Sequence, residues 1–123
     1  MTTSAAQYPV LVSILPGHNV QFTYFDEASN GPVTSPSISL NITCPTDCLF
    51  ILDYATSKAG WTITEISAVG MGSPTLNTLP GPKKLSLMVM DPYLTLSQYK
   101  YYLHFANGKE KFKFDPQETN VRN

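Results

Sequence analysis

The most reactive arrangement of residues in the chain surrounds the dipeptide Asp115-Pro116. An Asp carboxyl can attack its own peptide carbonyl and close a five-membered anhydride, and a proline nitrogen is a comparatively good leaving group once it is protonated. An amine that then opens the anhydride at the side-chain carbonyl leaves an isopeptide bond and a cut Asp–Pro bond. Intramolecular placement of the amine contributes ~7 kcal/mol or more of the barrier reduction. The dipeptide therefore predicts self-cleavage if an amine lies beside it.

Lys100 is the amine that the predicted strand pairing brings to Asp115. Asn107-Gly108 lies between two alternating runs and is a strong signal for a two-residue hairpin turn. With these two residues as the loop, Lys100 lies directly opposite Asp115, with Cβ atoms roughly 4.5–5.5 Å apart. The same register separates apolar from polar side chains onto two faces, as strand pairing requires. The simpler alternative is a surface ion pair that contributes roughly 0.2–1 kcal/mol.

A second Asp-Pro dipeptide, Asp91-Pro92, provides an internal comparison. It ends a predicted strand, because proline cannot continue a hydrogen-bonded ladder. No predictable turn places a lysine opposite it. Lys100 therefore distinguishes the Asp115 site from the Asp91 site.

Short strands must position these residues. Apolar and polar residues alternate with period two over several segments, and loops rich in Gly, Pro, Ser and Asn separate them. The strand segments are 10–14, 20–25, 37–42, 49–52, 61–66, 85–90 and the two arms of the hairpin, and the long loops are 27–36 and 70–82. The pattern predicts an all-β fold, a single antiparallel, immunoglobulin-like β-sandwich of about seven to nine short strands with a C-terminal hairpin.

Composition and charge exclude several classes of protein. The length of 123 residues predicts a single domain over 1–123, and the net charge of -1 disfavours a nucleic-acid binder. The lysine cluster at 109, 111 and 113 is interpreted as a solvated strand edge. The apolar runs are too short to span a bilayer, and no basic residue precedes the first of them, so we expect a cytoplasmic protein without a membrane partner. Two cysteines, Cys44 and Cys48, cannot complete a zinc site, and no cofactor is expected.

At these residues the chain resembles the small bacterial DP-EP family of self-cleaving β-sandwich proteins. The resemblance rests on the length, the strand pattern, and the order Lys100, Asn107-Gly108, Asp115-Pro116-Gln117, with a match at Tyr24. It implies autoproteolysis of the Asp115–Pro116 bond, a Lys100–Asp115 isopeptide link, and an aspartic-peptidase-like mechanism in which a carboxylate activates water. The protein would then be a single-turnover peptidase.

The resemblance also implies roles for the neighbouring residues. Tyr24 would donate a hydrogen bond to the reacting carbonyl, and Gln117 would lie next to the cut. Residues 116–123 would be the released peptide, so the substrate is the chain's own C-terminal segment.

This chain departs from the family pattern in one respect. The pattern calls for a separate catalytic Asp about a strand after the tyrosine, and residues 31–43 contain no carboxylate. Asp26 is the nearest candidate, although its position also fits a solvated loop entry, and Asp47 and Asp53 are the others.

Two other functions remain open from the sequence. One is an isopeptide-forming domain without cleavage, in which Lys100 condenses with Asp115 or with a nearby Asn such as Asn41. The other is a non-enzymatic sandwich that binds a protein or a small ligand through its aromatic side chains and long loops.

Overall fold

A computed structural model describes residues 5–26, 28–70 and 74–122. Over these ranges the chain forms eleven strands, one short α-helix and one turn of 3₁₀ helix. The strands are β1 (Ala6–Leu15), β2 (Asn19–Asp26), β3 (Gly31–Ser35), β4 (Ser39–Ile42), β5 (Thr46–Leu52), β6 (Thr62–Ala68), β7 (Asn77–Pro80), β8 (Ser86–Asp91), β9 (Gln98–Asn107), β10 (Glu110–Phe114) and β11 (Gln117–Asn120). The α-helix is α1 (Tyr54–Lys58), and the 3₁₀ turn covers Pro82–Lys84.

The strands form two sheets, which confirms the predicted all-β sandwich. The first sheet has six strands in the order β3-β2-β1-β5-β8-β7. The second has the order β10-β9-β11-β4, with β6 also paired to β9. Most neighbours are antiparallel, but β1 pairs with β5 and β4 with β11 in parallel. The chain leaves the first sheet after β3, contributes β4 to the second, and returns as β5, so the β1–β5 pair is joined by a crossover rather than a hairpin.

The structure has more strands than predicted because each long loop contributes one and residues 117–120 form another, β11. β3 lies inside 27–36 and β7 inside 70–82, and they are the two edges of the first sheet. Each contains a proline, Pro32 in β3 and Pro80 in β7. Proline is tolerated in an edge strand, where its missing N–H faces away from the ladder. The loop predictions were therefore wrong at these two places.

The core lies between the sheets and follows from the alternation. In β1, Val10 and Val12 are fully buried while Leu11 between them is 45% exposed. Apolar side chains of both sheets fill the interior, and each contributes roughly 1.5–3 kcal/mol when it is fully buried. The largest fully buried apolar side chains are Tyr101, Phe22, Phe50, Phe105, Ile63, Leu87 and Leu103.

Helix α1 connects β5 to β6 at one end of the sandwich. It begins at Asp53, whose carboxylate accepts a hydrogen bond from the Thr56 backbone N–H at 2.9 Å and so caps the helix. It is followed by Gly60, with φ of +103°, and then by the buried Trp61. Within the described ranges, no helix has the length and apolar character that crossing a membrane requires.

Candidate functional site

The C-terminal hairpin is present, but its register differs from the predicted one by two residues. Glu110 pairs with Asn107 and Phe112 with Phe105. The two-residue turn is therefore Gly108-Lys109, and the prediction of an Asn107-Gly108 turn was wrong.

A tertiary contact explains the shift. The Asn107 side chain donates a hydrogen bond from Nδ2 to the Ala59 carbonyl oxygen at 3.0 Å, and Asn107 stays in strand β9. Gly108 has φ of +61°, whereas Lys109 is not among the residues with positive φ. Positive φ at the first central residue alone is the pattern of a type II′ turn, while the predicted type I′ turn needs it at both.

Strands β10 and β11 are two halves of one strand line, interrupted at Asp115-Pro116. Phe114 pairs with Leu103 before the break and Gln117 with Lys100 after it, and the register along β9 is the same on both sides. The interruption is expected at proline, which has no N–H to donate to the ladder. The candidate bond therefore lies between two segments that the same strand holds in place.

Lys100 consequently lies opposite Gln117, so its predicted position opposite Asp115 was wrong. Continuing the same register past Phe114 puts Asp115 opposite Tyr102, on the diagonal from Lys100 and on the same face. Diagonal neighbours of this kind have Cα atoms about 7–8 Å apart. Both side chains are exposed, and the ion pairs of the described chain do not include one between them. An extended lysine side chain spans the diagonal, so the register leaves Lys100 within reach of the Asp115 carboxyl group.

The residues that follow the candidate bond belong to the second sheet. Pro116 is buried, and the Gln117 backbone N–H donates to the Ile38 carbonyl oxygen at 3.3 Å. The Gln117 side-chain amide donates to the Ser39 hydroxyl at 2.9 Å. β11 is an inner strand between β9 and β4, so release of residues 116–123, of which 123 lies outside the described ranges, would remove a strand from the middle of the sheet.

Tyr24 lies in the opposite sheet and packs against the core from β2. Its neighbour on the inner face of β2, Phe22, contacts Phe114 with ring centroids 5.5 Å apart, which places β2 over the end of β10. The hydrogen bonds found among the described residues include none from the Tyr24 hydroxyl to the Asp115–Pro116 bond. Tyr24 therefore lies two residues along β2 from the Phe22–Phe114 contact, and its role at the reacting carbonyl stays a prediction.

The three candidate carboxylates for a second catalytic Asp are engaged elsewhere. Asp26 accepts a hydrogen bond from the Ser29 hydroxyl at 2.7 Å and stabilises the turn between β2 and β3. Asp47 accepts one from the Gln7 side-chain amide at 3.0 Å, and Asp53 caps α1. Neither a hydrogen bond nor an ion pair joins any of these described carboxylates to Asp115.

A cluster of polar side chains in the core was not predicted from the sequence. We call it the buried acid cluster. Its members come from four strands and both sheets: Cys48 of β5, Asp91 of β8, Tyr101 of β9, and Glu118 and Asn120 of β11. Their relative exposures are 3% or less. The signal was the alternation Pro116, Glu118, Asn120, which reads as an inward face once the segment is recognised as a strand.

Within the buried acid cluster one hydrogen bond is well formed. Asn120 Nδ2 donates to Asp91 Oδ1 at 3.0 Å, and the Tyr93 backbone N–H donates to the same oxygen at 3.0 Å. The other Asp91 oxygen, both Glu118 oxygens, the Tyr101 hydroxyl and Asn120 Oδ1 are buried without hydrogen-bond geometry to any described group. Burial, together with the nearby Asp91 carboxylate, raises the pKa of Glu118 to about 8. Glu118 is therefore largely a neutral acid at neutral pH.

No protein-family model matches the chain, and no curated protein matches it. The Asp115-Pro116 bond with Lys100 on its diagonal is thus a candidate site defined by its geometry.

Proposed function

We propose that the protein is a single-turnover, aspartic-type self-processing domain that cleaves its Asp115–Pro116 bond and joins Lys100 to Asp115 through an isopeptide bond. The observation that supports this most is the interruption of one strand line at Asp115-Pro116, with Lys100 on the diagonal of the same face. The resemblance to the DP-EP family implies the same activity.

The proposed chemistry exchanges one amide bond for another. The Asp115 carboxylate attacks its own carbonyl carbon, the bond to the Pro116 nitrogen breaks, and that nitrogen takes up a proton. The neutral Lys100 amine then attacks the side-chain carbonyl of the anhydride and loses a proton, which leaves a free α-carboxylate on Asp115. No water is consumed. Attack by water in place of Lys100 gives simple hydrolysis and adds one water.

The sheet supports the first step by limiting motion on both sides of the bond. Phe114 is held by its pairing with Leu103 and by the ring of Phe22. Gln117 is held by β9 and by the hydrogen bonds to β4. The Asp115 carbonyl is held in place, and the carboxyl group that attacks it belongs to the same residue. The two groups therefore stay close together, which is the condition for intramolecular catalysis.

A second function, a non-enzymatic binding module, is favoured by the exposure of both Lys100 and Asp115. Exposed side chains are well solvated and sample many rotamers, which reduces the advantage of intramolecular placement. An isopeptide bond without cleavage stays the third alternative.

Intact-mass spectrometry of the denatured protein, after long incubation at neutral and alkaline pH, separates these functions. We expect a 116–123 peptide and a 1–115 fragment lighter by one water than the hydrolysis product. A 1–115 fragment at the hydrolysis mass would show cleavage without the crosslink. A continuous chain that has lost one water would support the crosslink alone, and an unchanged chain would leave the binding module.

Two variants test the assignment of residues. Lys100→Ala should abolish the crosslinked fragment and leave at most hydrolysis, while Asp115→Asn should prevent anhydride formation. Lys111→Ala is the matched control, because Lys111 is an exposed lysine of the same hairpin that pairs with Ala106. Equal amounts of crosslink in Lys100→Ala and Lys111→Ala would overturn the role of Lys100. The Asp91–Pro92 bond should stay intact throughout.

A further inference from the structure

A groove opens at one end of the sandwich, far along the hairpin from Asp115. It lies between the β1–β2 turn of the first sheet and the tip of the hairpin in the second, and its volume is about 490 Å³. Ligand sites in proteins typically measure ~300–1,000 Å³. The residues that line it are Ile14, Leu15, Pro16, Gly17, His18, Ala59, Trp61 and Glu110.

The polar groups of the groove form one pair. His18 Nε2 and Glu110 Oε2 are 3.0 Å apart, and both side chains are partly open to solvent, at 45% and 62%. Among the described residues of the lining, Glu110 is the one acid and there is neither lysine nor arginine. The remaining lining is apolar apart from His18. The groove thus combines an apolar wall with a single carboxylate at its rim.

The His18 ring is held in place on two sides. It stacks on Phe112, with centroids 4.5 Å apart and an interplanar angle of 5°, and it meets the edge of Trp61 at 5.7 Å and 89°. Contact with both rings fixes the orientation of the imidazole at the edge of the groove.

The backbone at His18 adds a second observation. His18 has φ of +58°, in the left-handed region that favours glycine. Such a conformation is unfavourable for a residue with a Cβ atom and is concentrated at functional sites. The turn is stabilised by the Asn19 side chain, which donates to the Pro16 carbonyl oxygen at 2.8 Å. The imidazole is thus presented to the groove at a conformational cost, in a turn that holds it there.

The geometry points to a binding site for a small organic cation with an apolar body, whose ammonium group contacts Glu110 and whose body lies on Leu15 and Trp61. Charge selects the cation, because Glu110 supplies the only carboxylate among the described residues of the lining, which include no lysine or arginine. The apolar wall selects the apolar body of the ligand. Most of this wall is formed by Ile14, Leu15, Pro16, Ala59 and Trp61. This function is independent of the chemistry at Asp115.

Trp61 provides the measurement, since it is the only tryptophan of the chain and lines the groove. We expect phenethylamine to change Trp61 fluorescence in a saturable titration. Phenylacetate, which has a similar body and the opposite charge, should bind at least about tenfold more weakly, as expected when a charged hydrogen bond is replaced by repulsion. Equal affinity for the two probes, or no saturable binding of phenethylamine, would overturn the proposal.

Variants separate the site from general adsorption. Glu110→Gln should weaken phenethylamine binding about tenfold or more. His18→Asn, which retains a residue tolerant of positive φ and removes the ring, should also weaken it. Glu65→Gln is the matched control, because Glu65 is an exposed acid on β6 outside the groove. Equal loss in Glu65→Gln and Glu110→Gln would contradict the assignment, while Lys100→Ala should bind normally whether or not the chain cleaves itself.

Discussion

Cys48 shows how strongly position controls the chemistry of a single residue. Its side chain is fully buried, and burial together with the nearby Glu118 raises the pKa of the thiol well above its ordinary value. Cys44, four residues earlier in the chain, is only half-buried, and both cysteines are free thiols. The thiolate is the reactive form, so burial removes both access and nucleophilicity from Cys48.

We expect iodoacetamide to alkylate Cys44 and leave Cys48 unmodified in the folded protein. In denaturant both cysteines should react at similar rates. Peptide mapping by mass spectrometry after timed labelling measures the two rates. Similar labelling of both residues in the native protein would contradict the burial of Cys48.

At the scale of the element, the register of the hairpin depends on a close approach at Gly60. A Cβ added to Gly60 would lie 2.7 Å from Asn107 Oδ1, and Gly60 has φ of +103°. Asn107 is the residue that the Ala59 carbonyl holds in β9. Replacing Gly60 therefore introduces backbone strain and also displaces the contact that sets the turn.

Gly60→Ala should lower the free energy of unfolding by more than the ~1 kcal/mol of a positive-φ glycine alone. Gly108→Ala is the comparison, because Gly108 has φ of +61° but open space around the added Cβ. Urea denaturation of the two variants gives the difference. Equal losses would show that the contact with Asn107 does not matter to stability.

The elements were predictable where alternation encodes burial. The segments 10–14, 20–25 and 85–90 form β1, β2 and β8, because period-two patterns place their apolar side chains on one face. The register of the hairpin was not predictable from that pattern. A slip of two residues keeps every side chain on its face, so the facial separation fits both registers. The contact between Asn107 and Ala59 that decides between them joins residues distant in sequence.

Part of the candidate site was predictable, because alternation also decides on which face of the hairpin each side chain lies. The prediction placed Lys100 and Asp115 on the same face, which agrees with the register, but directly opposite each other instead of on the diagonal. β11 was missed because its inward residues, Glu118 and Asn120, are polar, and polar side chains ordinarily indicate exposure. The burial of Glu118 and Asn120 becomes apparent only when the two sheets are packed against each other.

At the scale of the whole molecule, the buried acid cluster makes stability depend on pH. Burial, with the nearby Asp91 carboxylate, raises the pKa of Glu118 from 4.5 to about 8 in the folded state. Between these values the unfolded chain loses a proton that the folded chain retains, so the free energy of unfolding falls as pH rises. The contribution of Glu118 to the free energy of unfolding is fully present below about pH 4.5 and is lost as the pH rises through 8. Between these values it falls by about 1.4 kcal/mol for each pH unit.

Glu118→Gln should flatten this pH dependence, because the amide has similar shape and does not ionise. Glu65→Gln, which removes an exposed carboxylate, should preserve it. Chemical denaturation at a series of pH values from mildly acidic to mildly alkaline measures both slopes. A slope that survives in Glu118→Gln would assign the dependence to another group.

The inner position of β11 determines what a chain without this strand would expose. Among the described strands, β11 pairs with β9 on one side and β4 on the other, and β4 has no other partner in the sheet. A chain that lacks residues 116–123 would present two unpaired strand edges, lined by Cys48, Asp91 and Tyr101 at the bottom of the gap. A strand supplied from another molecule would have to pair with β9 and β4 at once to restore the sheet, as in donor-strand complementation. In the intact chain β11 fills this place itself, so one molecule both donates and accepts the strand.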